Sequence, residues 1–387
     1  MSLKEFEFLP SARTIRWVQT FTLAGGITLG ASAVLSPQRF WPNFLLVCYL
    51  LLGMGLAATF FLALQYVTGA SWSVAFRRVP EAVSSLLPVA ALGLGVILLL
   101  HPSLYPWVNG RGHLSGFKAA WLNLPFFWIR SALYLILWIL LARALVRSSQ
   151  RQDRDSGGAG RRVTVRYAAL FLVVFGLTFW LASMDWIMSL EPDWYSTVFG
   201  VYNFAGLFLA GLAALILLVI WLRRTSPLRD FVSEEHLHDL GKLLFAFSTF
   251  WMYIWFCQYM LIWYANLTEE THYFIARLHG FWEPLFLLNI VLNWGIPFLV
   301  LLPKACKRSP STLAKVAAVV LVGRWLDLYL MIFPPTVGAA PVFGIWEVGA
   351  MFGAFGVFLI FFLRSIRQAP LVPVNDPFLR ESLQYHN

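Results

Sequence analysis

Charged residues are scarce in this sequence. Asp, Glu, Lys and Arg together make up 12% of its 387 residues, while 59% are hydrophobic. Soluble globular domains usually contain about 25% charged residues. So few charges over this length exclude a soluble protein and predict an integral membrane protein.

Cysteine is rare, and histidine avoids the middle of the apolar runs. The three cysteines, Cys48, Cys257 and Cys306, form no CxxC pair and no metal-ligand spacing, which argues against zinc, an iron–sulfur cluster or a disulfide framework. A transmembrane b-type haem needs histidines deep within the spans. The histidines instead lie at a span end, in loops or in the tail: His101, His113, His236, His238, His272, His279 and His386. Phosphate-binding loops and Ser-His-Asp arrangements are also missing from the sequence. We therefore expect this chain to bind no metal and no cofactor of its own.

Long apolar runs are abundant, and each is close to the roughly 20 residues that a helix needs to cross a bilayer. Barrel strands would show short alternating segments instead. The sequence therefore predicts an all-α membrane protein with about ten spanning helices, at 15–35, 43–68, 84–101, 122–145, 166–190, 197–222, 241–265, 283–303, 313–333 and 344–364.

The basic residues are distributed unequally between alternate loops. The N-terminus, every second loop and the C-terminal tail hold 23 of the 29 Lys and Arg residues, and the opposite loops hold 4. Cytoplasmic loops are the ones enriched in Lys and Arg, so we expect both termini to be cytoplasmic. The first apolar run follows Lys4, Arg13 and Arg16 and has features of a signal peptide. We expect it to remain as the first spanning helix.

The polar segments divide the chain into five parts. These are a cytoplasmic N-terminal segment (1–14), spans 1–4 (15–146), a basic cytoplasmic linker (147–165), spans 5–10 (166–365) and a cytoplasmic tail (366–387). In a further cytoplasmic loop, Ser233 precedes Glu234 and Glu235, a pattern typical of the start of a short capped helix. The alternative is that His236 and His238 in that loop form a metal-binding pair.

Small-residue steps occur in the first and last spans, at Gly26-x-x-x-Gly30 and Gly349-x-x-x-Gly353. Such steps let two helix backbones approach closely. The partner helix is expected either in another subunit or within this chain.

A few ionisable residues fall inside or at the ends of the predicted spans: Arg130, Asp185, Glu283, Arg324, Asp327 and Glu347. Arg324 and Asp327 are three residues apart, so they share one helix face and can neutralise each other. One interpretation is that the pair only fixes helix packing. The other is that the four acids form an outer proton half-channel whose pKa values are set by the two arginines, since intramembrane carboxylates commonly mark relays. The inner half of the membrane is expected to contain no carboxylate.

Spans 5 and 9 end in related segments. "MDWIMSLEP" (184–192) and "LDLYLMIFPP" (326–335) both run from an acid through an apolar turn and a methionine to proline. Two four-helix bundles, spans 2–5 and spans 6–9 with spans 1 and 10 flanking them, would place these ends in equivalent positions.

Three stretches resemble one family closely: "SMDWIMSLEPDWYSTVFGVYNFAG" (183–206), "FWMYIWFCQYMLIWYANLTEET" (250–271) and "LVGRWLDLYLMIFPP" (321–335). The chain resembles the ActF subunits of alternative complex III, a bacterial quinol:cytochrome c or quinol:cupredoxin oxidoreductase. It is more distantly similar to membrane anchors of the NrfD and polysulfide reductase type, which share the two four-helix bundles. The resemblance covers nearly all ten spans.

The resemblance implies a set of partners and a location in the bacterial cytoplasmic membrane. The partners are a quinol-binding ten-span paralogue, an iron–sulfur subunit, multihaem cytochromes c and small membrane subunits. Quinol is then the substrate of the complex, and haem c and iron–sulfur clusters belong to the partner subunits. Asp185, Arg324 and Asp327 fall within the matching segments and inherit a proton-conducting role.

Three functions remain open at this stage. The expected one is a non-autonomous subunit that supports assembly and conducts protons coupled to quinol oxidation in the paralogue. The second is a subunit with its own quinone pocket, for which His101 is the candidate ligand. The third is a secondary transporter, which should show paired Gly or Pro interruptions at mid-depth, and the sequence shows no such pair.

Overall fold

The computed structural model describes residues 8–112, 114–153, 159–338, 340–373 and 375–385. Within these ranges the chain is helical and contains no β-strand, which confirms the predicted all-α class. Parts of the N-terminal segment, the basic linker and the tail lie outside the described residues. So do His113 and His386.

Ten helices in the described part of the chain are long and apolar enough to cross a membrane, as predicted. We label them α1 (Ala12–Leu35), α2 (Pro37–Thr68), α3 (Arg78–Leu100), α4 (Leu124–Arg151), α5 (Gly160–Leu190), α6 (Phe199–Thr225), α7 (Glu234–Ala265), α8 (Gly280–Leu301), α9 (Pro310–Val337) and α10 (Ile345–Ile366).

Seven of the ten helices begin earlier than the apolar runs predict, among them α3 and α7. Helix α3 begins at Arg78 instead of residue 84, and α7 begins at Glu234 instead of residue 241. The predicted short helix after Ser233 is therefore the first turn of α7. Ser233 and His236 form a capping box there, with the Nδ1 atom of His236 accepting from the Ser233 backbone N–H at 3.0 Å. Hydropathy misses such turns because their polar side chains satisfy the free N–H groups of the helix end.

The helices form the two predicted bundles. Helices α2 to α5 pack around one another, as do α6 to α9, and α2 packs against α6 and α9 where the bundles meet. Gly211 on α6 makes this junction close, because a Cβ atom there would lie 2.2 Å from the Cβ of Ala57 on α2. Helices α2, α6 and α9 are the most buried of the ten and form the centre of the protein.

Helices α1 and α10 pair with each other at the flank of the bundles. A Cβ atom on Gly353 or Gly349 of α10 would contact Gly25 or Thr28 of α1, respectively, whereas Gly26 and Gly30 face open space. The small-residue motif Gly349-x-x-x-Gly353 of α10 therefore packs against α1 of the same chain. The face of α1 that carries Gly26 and Gly30 contacts no other helix among the described residues.

The helix interruptions do not occur in corresponding positions of the two bundles. Helix α3, the second of its bundle, contains a 3₁₀ turn at Ser84–Leu86, and α8, the third of its bundle, contains a π-helical turn at Val291–Gly295. A transporter built on repeats would show them in equivalent helices.

The described part of the C-terminal segment folds back on the side of the molecule where α1 begins and α10 ends, here called the terminal face. Its Ser382 hydroxyl donates to the carbonyl oxygen of Trp72 at 2.9 Å and accepts from the backbone N–H of Ala75 at 3.2 Å. Asp376 pairs with Arg77. The other side, where α2 starts and α9 ends, is here called the opposite face.

Candidate functional site

A buried carboxylate on the central helix α9 is surrounded by polar side chains. Asp327 is 1% exposed, and its Oδ2 atom accepts from Nη1 of Arg324 at 2.5 Å. Its Oδ1 atom accepts from the Tyr202 hydroxyl and from Nδ2 of Asn289 at 3.1 Å. Arg324 also donates through Nη2 to Oδ1 of Asn203 at 3.1 Å. We call these five residues the Asp327 centre. The predicted Arg324–Asp327 pair is confirmed.

Two glycines leave room for this centre. A Cβ atom on Gly206 of α6 would lie 2.3 Å from Nη1 of Arg324, and one on Gly323 would lie 2.9 Å from the side-chain amide of Asn293. Distances below 3.0 Å cannot be tolerated without movement. The polar groups therefore occupy the space that side chains at these two positions would fill.

The π-helical turn of α8 orients two asparagines. The backbone N–H of Ile296 donates to the carbonyl of Val291, five residues earlier, so the helix is locally wider. Nδ2 of Asn293 donates to the Asn289 backbone carbonyl at 3.1 Å and to its Oδ1 atom at 2.7 Å. These bonds leave the Asn289 amide nitrogen directed at Asp327. Such π-turns are frequent at functional sites, and the Asn-x-x-x-Asn spacing was the available sequence signal.

A small cavity lined by both polar and apolar side chains adjoins Asp327. Its volume of about 10 Å³ is enough for about one water molecule. Gln258 on α7 lines it, and among the described residues no partner bonds its Oε1 atom. The lining residues are Tyr202, Trp255, Gln258, Tyr273, Phe274, Arg277, Phe286, Asn289, Asp327, Leu330 and Met331. A water here would have polar partners on several sides.

Asp185, at the end of α5, is buried in a different way. Its Oδ1 atom accepts from Nε1 of Trp121 at 2.8 Å and from Nη2 of Arg130 at 2.9 Å. Its Oδ2 atom accepts from Nε of Arg130 at 3.1 Å and from the Tyr134 hydroxyl at 3.2 Å. The guanidinium also stacks 4.1 Å from the centroid of the Trp121 ring. Four hydrogen bonds from three side chains fix the position of this carboxylate.

The two acids occupy comparable places, as the related ends of spans 5 and 9 predict. Each lies on the last helix of its bundle, Asp185 on α5 and Asp327 on α9. Their arginines differ: Arg130 comes from the neighbouring helix α4, while Arg324 comes from the same helix as its acid. The water-sized cavity lies beside Asp327.

The remaining predicted residues lie elsewhere. Glu347 is buried at the start of α10, where its carboxylate pairs with Arg39, accepts from Nδ2 of Asn43 at 3.0 Å and accepts from the Gly344 backbone N–H at 2.8 Å. Glu283 is exposed, so its predicted burial was wrong. His101 caps the end of α3 and stacks on Trp41 with ring centroids 4.6 Å apart.

The four acids of the predicted half-channel do not contact one another directly. In the described residues no hydrogen bond or ion pair joins any two of Asp185, Glu283, Asp327 and Glu347, and each of the three buried acids has its own arginine. Local pairing is the physical reason, since an acid far from its counter-ion would bear the full desolvation cost.

Sequence reasoning missed a second charged cluster near the Asp327 centre. Glu191, just after α5, accepts from Nη2 of Arg277 at 2.5 Å, and its Oε2 atom lies 3.8 Å from Nε2 of His272. Arg277 and His272 belong to the short helix Thr268–Leu278 of the opposite face. We call these three residues the Glu191 cluster. Glu191 is in the quoted segment 183–206, and that was its only sequence signal.

Arg277 and Tyr273, beside Glu191, each keep one protonation state. Burial by itself would lower the pKa of Arg277, but the nearby Glu191 carboxylate raises it above its ordinary value, so Arg277 stays cationic. Burial raises the pKa of Tyr273 to about 12, with the Glu191 charge adding to the shift, so its phenol stays protonated. The ring of Tyr273 lies under the Arg277 guanidinium at 3.5 Å.

Sequence reasoning also missed a buried carboxylate near the terminal face. Glu81, in the first turn of α3, is 2% exposed and accepts from Nη1 of Arg78 and from the Ser149 hydroxyl, both at 2.5 Å. Arg78 also pairs with Asp153, whose pKa is raised by burial. The hydropathy boundary at residue 84 left Glu81 outside the span.

The polar side chains of the Asp327 centre end in carboxylate, amide, phenol and guanidinium groups. This set suits the holding and passing of protons more than the binding of iron, which in electron carriers is held by histidine or cysteine. No group of three or more His, Cys, Asp or Glu side chains with metal-binding geometry occurs in the described part of the chain.

Compared with known proteins, the chain matches no protein-family model, and no curated protein matches it. Membership of a family is therefore a proposal that depends on the three segments quoted above.

Proposed function

We propose that this chain is a membrane subunit of a quinol:electron-acceptor oxidoreductase of the alternative complex III type, and that the Asp327 centre conducts protons coupled to quinol oxidation in a paralogous subunit. The observation that carries the proposal is a buried carboxylate on a central helix beside a water-sized cavity that Gln258, Tyr202 and Asn289 also line. Intramembrane acids in such positions commonly act in proton relays.

The contacts of Arg324 suit a carboxylate that changes charge. When Asp327 is ionised, Arg324 neutralises it through Nη1. When Asp327 takes up a proton, Arg324 keeps the Oδ1 atom of Asn203 as its acceptor. The guanidinium therefore stays partly satisfied in both states, which lowers the cost of the protonation step.

The other buried pairs serve structure in this proposal. The Asp185–Arg130 pair joins α4 and α5, and Glu347 with Arg39 joins α2 and α10. Haem c and iron–sulfur clusters belong to the partner subunits, and quinol is oxidised in the ten-span paralogue. By the distribution of basic residues, the terminal face is cytoplasmic and the opposite face is periplasmic in a bacterial cytoplasmic membrane.

Asp327→Asn in the assembled complex tests the proposal. We expect normal subunit content and quinol oxidation, with fewer protons released per electron in complex-containing vesicles. Glu283→Gln is the matched control, because Glu283 is an exposed acid outside the centre. An unchanged proton ratio in Asp327→Asn would reject the proposal.

A groove favours a second candidate function, the binding of quinone by this chain. It lies between the α1–α10 pair and the central helices, has a volume of about 500 Å³ and is apolar. Ligand pockets are typically of this size. Leu50 and Met54 line both the groove and a small cavity that reaches Tyr49 and Arg324. An isoprenoid tail in the groove could thus place a headgroup toward Arg324. His101 does not line the groove, so the expected histidine ligand does not support this candidate.

Filling the groove tests the second candidate. Met54→Trp is expected to lower the amount of quinone that copurifies with the complex, measured by mass spectrometry of extracted lipids. Leu99→Trp is the control, since Leu99 is exposed on the outside of α3. Equal quinone content in both variants would exclude the groove as a quinone site.

A further inference from the structure

The Glu191 cluster lies next to the Asp327 centre but takes no part in the function proposed above. Arg277 is the physical link between them. It donates through Nε to the carbonyl oxygen of Leu330 at 2.9 Å, and Leu330 lies three residues after Asp327 on α9. Through Nη2 the same guanidinium holds Glu191. One fully buried cation therefore connects the helix of the central acid with the acid nearer the opposite face.

The cavity beside Asp327 reaches the same arginine. Asp327, Tyr202 and Asn289 line one part of it, and Tyr273 and Arg277 line another. Tyr273 is held in place by stacking on Trp194, with ring centroids 4.0 Å apart. A water in this cavity would lie between the central carboxylate and the residues that hold Glu191.

Exposure increases from the centre to the surface. Asp327 is 1% exposed, the Glu191 side chain is 16% exposed and the His272 side chain is 44% exposed. All three can take up and release a proton, whereas Arg277 cannot do so at physiological pH. The three titratable groups are thus arranged in order of access to solvent.

We propose that Glu191 is the proton-exchange group of the opposite face, which takes protons from the Asp327 centre and passes them through His272 to solvent. This inference rests on the proposed function of Asp327. The Asp327 carboxyl gives its proton to cavity water, which passes a proton to the Glu191 carboxylate. Glu191 then returns to its anionic form by giving that proton to the His272 imidazole, which releases it to solvent. No electron moves in these steps. Arg277, which lines the cavity, stays charged and is a positioning residue that holds the Glu191 carboxylate through Nη2.

The first experiment compares Glu191→Gln, Asp327→Asn and the double variant in vesicles that contain the whole complex. We expect both single variants to release equally fewer protons per electron, and the double variant to release no fewer than either. Glu269→Gln is the control, since Glu269 is an exposed acid in the first turn of the same short helix.

The outcomes separate this inference from the proposed function. Normal release in Glu191→Gln together with reduced release in Asp327→Asn would overturn the role of Glu191 and leave that of Asp327 intact. An additive double variant would also overturn it, because the two acids would then act on separate paths. Normal release in both single variants would overturn both proposals.

A second experiment covers the case in which Glu191→Gln does not assemble. His272→Gln changes a side chain that is 44% exposed. We expect proton release after a brief pulse of quinol to slow by about a hundredfold or more, as loss of a positioned proton acceptor typically causes, and to recover when imidazole is added to the buffer. A purely structural His272 would give no recovery with imidazole, and an unchanged release rate would overturn the exit through Glu191 and His272.

Discussion

Gly206 on α6 lies directly against the Arg324 guanidinium on α9. A Cβ atom at position 206 would lie 2.3 Å from Nη1 of Arg324 and 3.2 Å from Oδ2 of Asp327. The ion pair therefore has the room it needs only because this position of α6 has no side chain. The tight fit makes the placement of the pair sensitive to a single methyl group.

Gly206→Ala is expected to destabilise the assembled protein by about 1 to 3 kcal/mol, as overpacking of a filled interior usually does. Thermal unfolding of the detergent-solubilised complex measures this loss. Gly26→Ala is the matched control, because a Cβ atom on Gly26 meets no atom within 4 Å. Equal melting temperatures for the two variants would contradict the packing argument.

Asp185→Asn is expected to destabilise the protein by about 3 to 5 kcal/mol, because it leaves Arg130 buried without its counter-ion. The assembled fraction should still release the normal number of protons per electron, in contrast to Asp327→Asn. Replacement of both partners, as Arg130→Met with Asp185→Leu, should recover much of the stability. Reduced proton release in the Asp185→Asn complex would show that this acid is also part of the path.

Glu347→Ala is expected to destabilise the start of α10 more than Glu347→Gln does. Glutamine keeps one acceptor oxygen and can still accept either from the Gly344 backbone N–H or from Asn43, whereas alanine leaves the Gly344 N–H and the Arg39 guanidinium without this acceptor. A buried donor left unsatisfied costs about 1 to 3 kcal/mol. Hydrogen exchange at the first turn of α10 measures the difference, and equal exchange in both variants would contradict it.

Ser382→Ala is expected to loosen the C-terminal segment from the terminal face. The change removes the acceptor of the buried Ala75 N–H and the donor to Trp72, at a cost of about 1 to 3 kcal/mol. Faster protease cleavage of the segment in the intact complex would report it. Gln384→Ala, two residues on and exposed, should cleave at the wild-type rate.

Some of the charged pairs could be predicted from the sequence, and others could not. Arg324 and Asp327 are three residues apart on one helix, so helix geometry alone predicted their contact, and the structure confirms it. The pairs Arg39–Glu347 and Arg277–Glu191 join residues that are distant in sequence. No spacing rule predicts such contacts, because they depend on which helices become neighbours.

Burial at helix ends was the weakest part of the sequence prediction. Glu283 and Glu81 both occupy the first turn of their helices, yet Glu283 is exposed and Glu81 is buried among Arg78, Ser149 and Asp153. A hydropathy average depends only on a residue and its neighbours in sequence. The partners that make a buried charge tolerable come from other segments.

The sequence by itself determined the membrane class, the ten helices and the pairing of Arg324 with Asp327, because the free energy of transfer into lipid and the turn of a helix are both local properties. Only the tertiary structure decided that Asp185 accepts four hydrogen bonds while Asp327 adjoins a cavity, and that Arg277 connects Asp327 with Glu191. These differences arise where several helices meet, since the polarity and space around a buried acid are set by residues far from it in sequence.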